Sequence, residues 1–94
     1  MDDRCGLVLH ALSDKTRLKI LQLLKKRELC VSAICRHFDM TQPSISHHLD
    51  ILKRAGLVSA EKRGREVHYR FEGETIVECC GQQFRLLDIR LDKL

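Results

Sequence analysis

Apolar residues in the first part of the chain recur at the spacing of amphipathic helices. A mostly apolar run predicts a first helix over 5–12. Ser13 or Asp14 can cap a second helix over about 15–26, because a short side-chain oxygen accepts the free N–H groups of a first turn. A third, short helix is predicted over about 31–38. The first part of the chain is therefore expected to be helical.

A fourth helix is predicted from Thr41 or Gln42 to about position 55. Pro43 fits its first turn, where a missing N–H does no harm, and Gly56 ends it. Its inward stripe is apolar and consists of Ile45, Leu49 and Leu52. Its opposite face is polar and carries Ser46, His47, Asp50 and Arg54. His48 falls on the inward side and is interpreted as a partly buried packing residue.

The hydrophobic period changes after Gly56. Alternating residues predict two strands over about 57–63 and 66–71, joined around Gly64. A last helix is predicted over about 74–91. Its apolar stripe consists of Ile76, Cys80, Phe84, Leu87 and Leu91. Such a stripe on a terminal helix needs a partner, and a two-fold mate is the simplest one.

Two helices joined by a short turn and followed by a basic hairpin are typical of a winged helix-turn-helix fold. The expected class is mainly α (α+β), with the element order ααααββα. We find no repeat, linker or low-complexity tract and expect one domain over 1–94. Within it, the helix-turn-helix would span about 31–55, the wing about 57–71 and a dimerisation helix about 74–91.

The composition narrows the class of protein. Aromatic residues make up only 4% of the 94 residues, so the core must be aliphatic. No apolar run approaches the roughly 20 residues that span a bilayer, and the start MDDRCG is not a secretory signal. Five cysteines without export indicate a reducing compartment, where thiols bind metals or react more often than they form bridges. We therefore expect a cytoplasmic protein with no membrane partner.

The formal net charge is +4, and its distribution indicates double-stranded DNA as a partner. Six Lys and Arg residues lie between positions 53 and 70, at 53, 54, 62, 63, 65 and 70, against Glu61 and Glu66. Such a patch is the footprint of a surface that touches phosphates, and hydroxyls and amides can read base edges. The candidate DNA contacts are Gln42, Ser44, Ser46, His47, Lys53, Arg54, Lys62, Arg63 and Arg65.

Four segments carry a family resemblance: LSDKTRLKILQLL, ELCVSAIC, TQPSISHHLDILKRAGLV and REVHYRF. In this order they resemble the ArsR (ArsR/SmtB) family of ligand-responsive repressors, over about 12–71 of the chain. The resemblance implies a homodimer that holds operator DNA until an inducer binds, with the first and last helices forming the interface. The implied interface residues are Leu7, Ile76, Cys80, Phe84, Leu87 and Leu91.

The cysteine segment resembles the arsenic-sensing branch, whose typical pattern is ELCVCDLC. Cys30 and Cys35 match its first and third thiols, while Ser32 replaces the middle one. The resemblance implies a small inorganic inducer, As(III) or Sb(III), because soft thiolates favour such ions. Cys5, from its own N-terminal segment or from the partner chain, is a candidate third ligand, and a small exogenous thiol is another. Five helical residues rotate through about 140°, so Cys30 and Cys35 can share a ligand only if the helix begins irregularly.

Several alternatives stay open from the residues. Cys79 and Cys80 could form another metal or redox site at the dimer contact. The signal could instead be an oxidant or persulfide, or zinc or cadmium, and the chain could also bind DNA without a ligand. No constitutive cofactor is expected. An enzyme is disfavoured, because Cys35 and His37 diverge on a helix and no phosphate loop or carboxylate pair accompanies them.

Overall fold

The computed structural model of the protein describes residues 3–74. In chain order the elements are α1 Asp3–Leu12, α2 Lys15–Lys26, β1 Leu29–Cys30, α3 Val31–Cys35, α4 Gln42–Arg54, β2 Val58–Arg63 and β3 Glu66–Phe71. The predicted last helix lies, apart from its first residue, outside the described residues. The same is true of the candidate residues Ile76, Cys79, Cys80, Phe84, Leu87 and Leu91.

The core is aliphatic, as the scarcity of aromatic residues predicts. Each of the four helices and the start of β2 contributes to one cluster. The predicted inward stripe of α4 is confirmed, since Ile45, Leu49 and Leu52 have no exposed surface. The remaining buried apolar residues are Val8, Ala11, Leu12, Ile20, Leu21, Leu24, Leu29, Ile34, Ala55, Leu57 and Val58. Burial of these side chains holds α4 against α1, α2 and α3.

Local hydrogen bonds fix where the two longer helices begin. The Asp14 carboxylate caps α2 by accepting the backbone N–H of Arg17 at 3.1 Å. The Thr41 hydroxyl caps α4 by accepting the backbone N–H of Ser44 at 3.3 Å. Of the alternatives left open by the sequence, Asp14 and Thr41 are therefore the caps.

The end of α4 is equally well defined. Gly56 has a φ of +77°, the left-handed conformation that favours glycine. Its N–H donates to the carbonyl of Lys53, and the N–H of Leu57 donates to the carbonyl of Leu52, at 2.9 and 3.0 Å. This pair of bonds is a Schellman motif, which satisfies the last helical carbonyls. The predicted stop at Gly56 is confirmed.

Helix α3 is shorter than predicted. The α-helix ends at Cys35 rather than at Phe38. Beyond it the chain tightens, because the N–H groups of His37 and Phe38 donate to the carbonyls of Ile34 and Cys35, at 3.0 and 3.1 Å. These three-residue bonds are typical of a narrowed last turn. Apolar spacing does not distinguish such a turn from regular helix, so the sequence extended α3 too far.

The sheet contains a strand that the sequence did not predict. Strand β1 pairs antiparallel with β3, which also pairs antiparallel with β2, giving the order β1-β3-β2. Leu29 lies opposite Tyr69, and Cys30 lies opposite His68. A two-residue strand is too short to show an alternating pattern, which explains why it was missed. It joins the cysteine segment to the hairpin.

The described elements form a winged helix-turn-helix. Helices α3 and α4 and the turn between them are the helix-turn-helix, and the β2–β3 hairpin is the wing. The predicted fold class is thus confirmed over the described residues, with β1 as an addition. Within residues 3–74, no helix combines the length and the hydropathy needed to cross a membrane.

Candidate nucleic-acid interface and thiol segment

The outward face of α4 is the first part of the candidate interface. With the apolar stripe buried against the core, the opposite face is left to solvent. Ser44 and Ser46 are half-buried, whereas Gln42, His47 and Lys53 are exposed. Short hydroxyls beside an exposed amide and imidazole can exchange hydrogen bonds with base edges and phosphates. Of these residues, Ser46 and His47 lie on the outward face of α4, with Gln42 and Lys53 at one edge of it and Ser44 at the other.

Arg54, at the end of this face, already has a partner. Its guanidinium donates to the carboxylate of Asp50 one helical turn earlier, at 3.0 Å. Both side chains are more than half exposed, so water and salt screen this pair. Arg54 therefore presents a compensated charge, whereas Lys53 has no ion-pair partner within residues 3–74.

The wing carries a carboxylate cluster that the sequence did not predict. We call Arg63, Glu28 and Glu61 the wing cluster. One terminal nitrogen of Arg63 lies 2.5 Å from Glu28, and its Nε lies 2.8 Å from Glu61. The hydrogen bonds to Glu61 and then Glu28 raise the pKa of Arg63, while the hydrogen bond from Arg63 lowers the pKa of Glu61. Two carboxylates thus hold a side chain that the sequence assigned to DNA.

The tip of the wing remains available. Gly64 turns the hairpin with a φ of +63°, and Lys62 and Arg65 are exposed on either side of it. Neither side chain has an ion-pair partner in the part of the chain that the structure describes. Lys62 and Arg65 are therefore better placed than Arg63 to neutralise a phosphate, because no carboxylate must first be displaced.

The thiol segment connects the wing to the helix-turn-helix. Cys30 lies in β1 and is the N-cap residue of α3, in extended backbone with φ −80° and ψ 164°. Cys35 is the last residue of α3 and packs against the core. The two thiols therefore flank one short helix. Cys5 lies separately in α1 and is half-buried.

Ser32, which stands where the family pattern has a thiol, is close to Cys30. Its hydroxyl lies 3.3 Å from the Cys30 sulfur. Within residues 3–74, no three or more His, Cys, Asp or Glu side chains come together as a metal site. The two cysteine sulfurs of this segment lie at the two ends of α3.

The sequence did not identify a buried polar network behind α4. Arg17, in α2, is only 6% exposed. Its guanidinium donates to the carbonyls of Ala11 and His10, at 2.9 and 3.0 Å, and contacts Nδ1 of His48 at 3.1 Å. The Asp14 carboxylate lies 3.9 Å from the same ring nitrogen. A lone arginine among apolar residues of α2 was the only signal for this network.

This network shifts two pKa values. Burial lowers the pKa of His48, and the charges of Arg17 and His47 lower it further, against the attraction of Asp14. Burial acts to raise the pKa of Asp14, but the hydrogen bond from the Arg17 N–H and the nearby cations lower it overall. His48 is therefore neutral at pH 7, which agrees with the predicted packing role and adds a hydrogen-bonding one.

Comparison with known proteins shows which family the chain resembles. The family described as "Bacterial regulatory protein, arsR family" matches residues 14–60. The transcriptional repressor SdpR of Bacillus subtilis is 47% identical over 62 residues, which cover 66% of this chain and 69% of that protein. The arsenical resistance operon repressor of Escherichia coli is 48% identical over 60 residues, or 63% of this chain and 51% of that repressor. The chain thus matches about half the length of the second relative.

A solved structure agrees with the sequence relatives. The homodimeric winged helix-turn-helix DNA-binding domain of a Mycobacterium bovis protein aligns with a TM-score of 0.76 and 34% identity. The alignment covers 97% of this chain and 81% of that one. The fold and its polar helix face define a DNA-binding transcriptional regulator rather than an enzyme. The chain belongs to the ArsR family and is a DNA-binding transcriptional repressor of that family.

Proposed function

We propose that the chain acts as a homodimer that reads operator DNA with α4, contacts the adjacent backbone with the tip of its wing and is released by a thiophilic inorganic inducer. The observation that carries the proposal is the position of the two thiols at the ends of α3, the helix that supports α4. The M. bovis domain is itself described as homodimeric, which supports the two-fold assembly. A dimer would read two half-sites one or more helical turns apart.

The DNA-reading part rests on the surface of α4 and the wing. Ser46 and His47 lie on the outward face of α4 and would contact base edges. Lys62 and Arg65 would contact phosphates, which fix the position of the protein without reading sequence. The two roles differ in kind, so substitutions in α4 and in the wing should have different effects on specificity.

The inducer part rests on the chemistry of the thiol segment. Cys30 and Cys35 offer soft sulfur donors, which favour As(III) and Sb(III) over hard cations. The E. coli relative is named an arsenical resistance operon repressor, which supports the same ligand class. Zinc or cadmium would use the same thiols but prefers four donors in a tetrahedron. Arsenite binds three donors, so it needs only one donor in addition to Cys30 and Cys35, whereas zinc or cadmium would need two.

The two cysteines leave a third donor to be supplied from another source. Ser32 occupies the place of the missing thiol and faces a solvent-accessible cavity of about 170 Å³. The cavity is lined by Val31, Ser32, Gln42, Arg65, Glu66 and Val67. A small exogenous thiol is one candidate for the third donor, although Cys30 and Cys35 do not line this cavity. Cys5, of the same protomer or of its partner, is the alternative donor.

Two physical connections would carry the signal to the DNA-binding surface. Drawing Cys30 and Cys35 toward one ion distorts α3, and its buried residue Ile34 packs in the same core as Ile45 and Leu49 of α4. Cys30 is also paired with His68 in β3, so its displacement pulls on the wing. Ligation would therefore shift the population away from the arrangement that binds DNA.

The test is a fluorescence-anisotropy titration of the reduced protein on a duplex that it selects from a random-sequence library, challenged with arsenite. We expect arsenite to release the wild type and to spare a Cys30→Ser/Cys35→Ser variant. A Cys5→Ser variant identifies the third donor, since loss of the response there assigns it to Cys5. A Cys79→Ser/Cys80→Ser variant is the matched control with two other thiols removed.

Other outcomes would contradict parts of the proposal. Release by an oxidant or persulfide but not by arsenite would make the thiols a redox switch. Release by zinc or cadmium alone would assign a different ion. An arsenite response lost only in the Cys79→Ser/Cys80→Ser variant would move the sensor to the last predicted helix. DNA binding that no ligand changes would leave a ligand-independent repressor.

A further inference from the structure

The buried network behind α4 connects three helices through one side chain. Arg17 of α2 holds the carbonyls of His10 and Ala11 in the last turn of α1 and, with its third contact, His48 of α4. The side chain of His48 is 14% exposed. Among the described residues, Arg17 is the single buried charged or polar residue. The orientation of α4 relative to the α1–α2 corner therefore depends on a contact that can be gained or lost.

The chemistry of the contact fixes the state of the imidazole. A guanidinium has only N–H donors, so Nδ1 of His48 must be the acceptor and the ring proton must sit on Nε2. A protonated imidazole carries hydrogen on both nitrogens and accepts nothing. Protonation of His48 would therefore break the bond and bring two cations to 3.1 Å from each other.

The charges that face His48 do not remove this conflict. Asp14, which precedes α2, lies 3.9 Å from Nδ1 and attracts a proton. Arg17 opposes it at a shorter distance. Within α4, the ring centroid of His47 lies 6.1 Å from that of His48, and its influence lowers the pKa of His48 as that of Arg17 does. From α1, the network receives backbone carbonyls rather than charge.

We propose that Arg17 and His48 are positioning residues for DNA recognition. The neutral His48 ring accepts a hydrogen bond from Arg17 and thereby holds α4 against α2 and the end of α1, and protonation of this ring breaks the bond. His47, the neighbour of His48, is on the face that would read DNA, so a change in the seating of α4 alters base contacts directly. The inference concerns DNA binding and does not depend on the identity of the inducer.

The consequence is a specific effect of acid. Protonated histidines raise the affinity for any DNA through added charge, whereas loss of the Arg17–His48 bond lowers the affinity for the selected sequence alone. The informative quantity is therefore the ratio of specific to non-specific affinity. We expect this ratio to fall about tenfold as His48 becomes protonated, which is the lower end of the effect of one charge-assisted hydrogen bond.

The experiment measures this ratio by anisotropy from pH 7.5 to 5.0, on a duplex selected at pH 7.5 and on a scrambled duplex of equal length. Nitrogen-15 NMR of the DNA-free protein follows the tautomer and the titration of His48, and circular dichroism monitors folding. His48→Asn keeps an acceptor near the position of Nδ1 that cannot titrate. His48→Leu removes the acceptor at every pH, and His47→Asn is the control for the neighbouring ring.

The expected pattern is specific to positioning. The wild-type ratio falls over the range in which His48 titrates, His48→Asn stays level, and His48→Leu is low throughout. His47→Asn starts from a lower ratio, because it changes a residue that would read bases, and declines over the same range. The proposal would be overturned if the ratio for the wild type stays unchanged while NMR shows that His48 is protonated in the folded protein. This test needs no variant. A His48→Leu ratio equal to that of the wild type at pH 7.5, or an acid loss that persists in His48→Asn, would overturn it as well.

Discussion

The wing cluster makes a quantitative prediction about Arg63. In the free protein, Glu28 and Glu61 hold its guanidinium, so Arg63 reaches a phosphate only by leaving them. In the wild-type background, Arg63→Ala should therefore change the salt dependence of DNA binding very little. In a Glu28→Gln/Glu61→Gln background the guanidinium is released, and removing Arg63 there should remove one phosphate contact.

The magnitude follows from counterion release. Each phosphate contact contributes about −0.9 to the slope of the logarithm of affinity against the logarithm of salt concentration. Between 50 and 200 mM salt, one contact thus changes the ratio of the two affinities by about 3.5-fold. We expect this factor between the double variant and the triple variant that adds Arg63→Ala. Between wild type and Arg63→Ala, a factor near one is expected.

The assay is an anisotropy titration of the four proteins on non-specific duplex DNA over this salt range. Arg65→Ala is the reference for an arginine without a carboxylate partner in the described structure, and it should lower the slope in the wild-type background. An equal loss of slope on removing Arg63 in both backgrounds would show this prediction to be wrong, because Arg63 would then contact phosphate whether or not the carboxylates are present.

Two further predictions concern stability. Leu49→Ala creates a cavity at a fully buried position of α4 and should reduce the free energy of unfolding, measured in urea titrations, by about 2–5 kcal/mol. A loss no larger than that of Ile51→Ala, at a half-buried position, would contradict the described core. The second concerns pH: the pKa of His48 is lower in the folded chain than its ordinary value of 6.5, so the free energy of unfolding should decline as the pH falls below 6.5. The lowered pKa of Asp14 should cause a second decline below its ordinary value of 3.8. A first decline that is unchanged in His48→Leu would exclude His48 as its cause.

Much of the fold was predictable because its elements are amphipathic over several turns or alternations. The stripe of α4 and the Gly56 stop carry strong local signals, and so does the hairpin around Gly64. The end of α3 and the strand β1 were not predictable in the same way. Both depend on one or two backbone hydrogen bonds, and β1 forms only because β3, almost 40 residues later, offers it an edge.

The candidate site was predictable in its residue types and not in its pairings. The polar face of α4 follows from its periodicity. In contrast, Glu28 and Arg63 are 35 residues apart and Arg17 and His48 are 31 apart, so no local pattern links them. The wing therefore appeared to offer three equivalent cations, and His48 appeared to be a packing residue. In the folded chain, Arg63 differs from Lys62 and Arg65 because two carboxylates hold it, and His48 accepts a hydrogen bond from Arg17.

Helix α4 is proposed to read the DNA sequence, whereas the wing is proposed to bind any DNA. The most direct measurement is the affinity of Ser46→Ala, His47→Ala and Arg65→Ala for a selected duplex and for a scrambled one. We expect the two α4 substitutions to lower the affinity for the selected duplex and to leave the affinity for the scrambled duplex nearly unchanged, while Arg65→Ala weakens binding to both duplexes equally. Equal losses on both duplexes for Ser46→Ala and His47→Ala would contradict it.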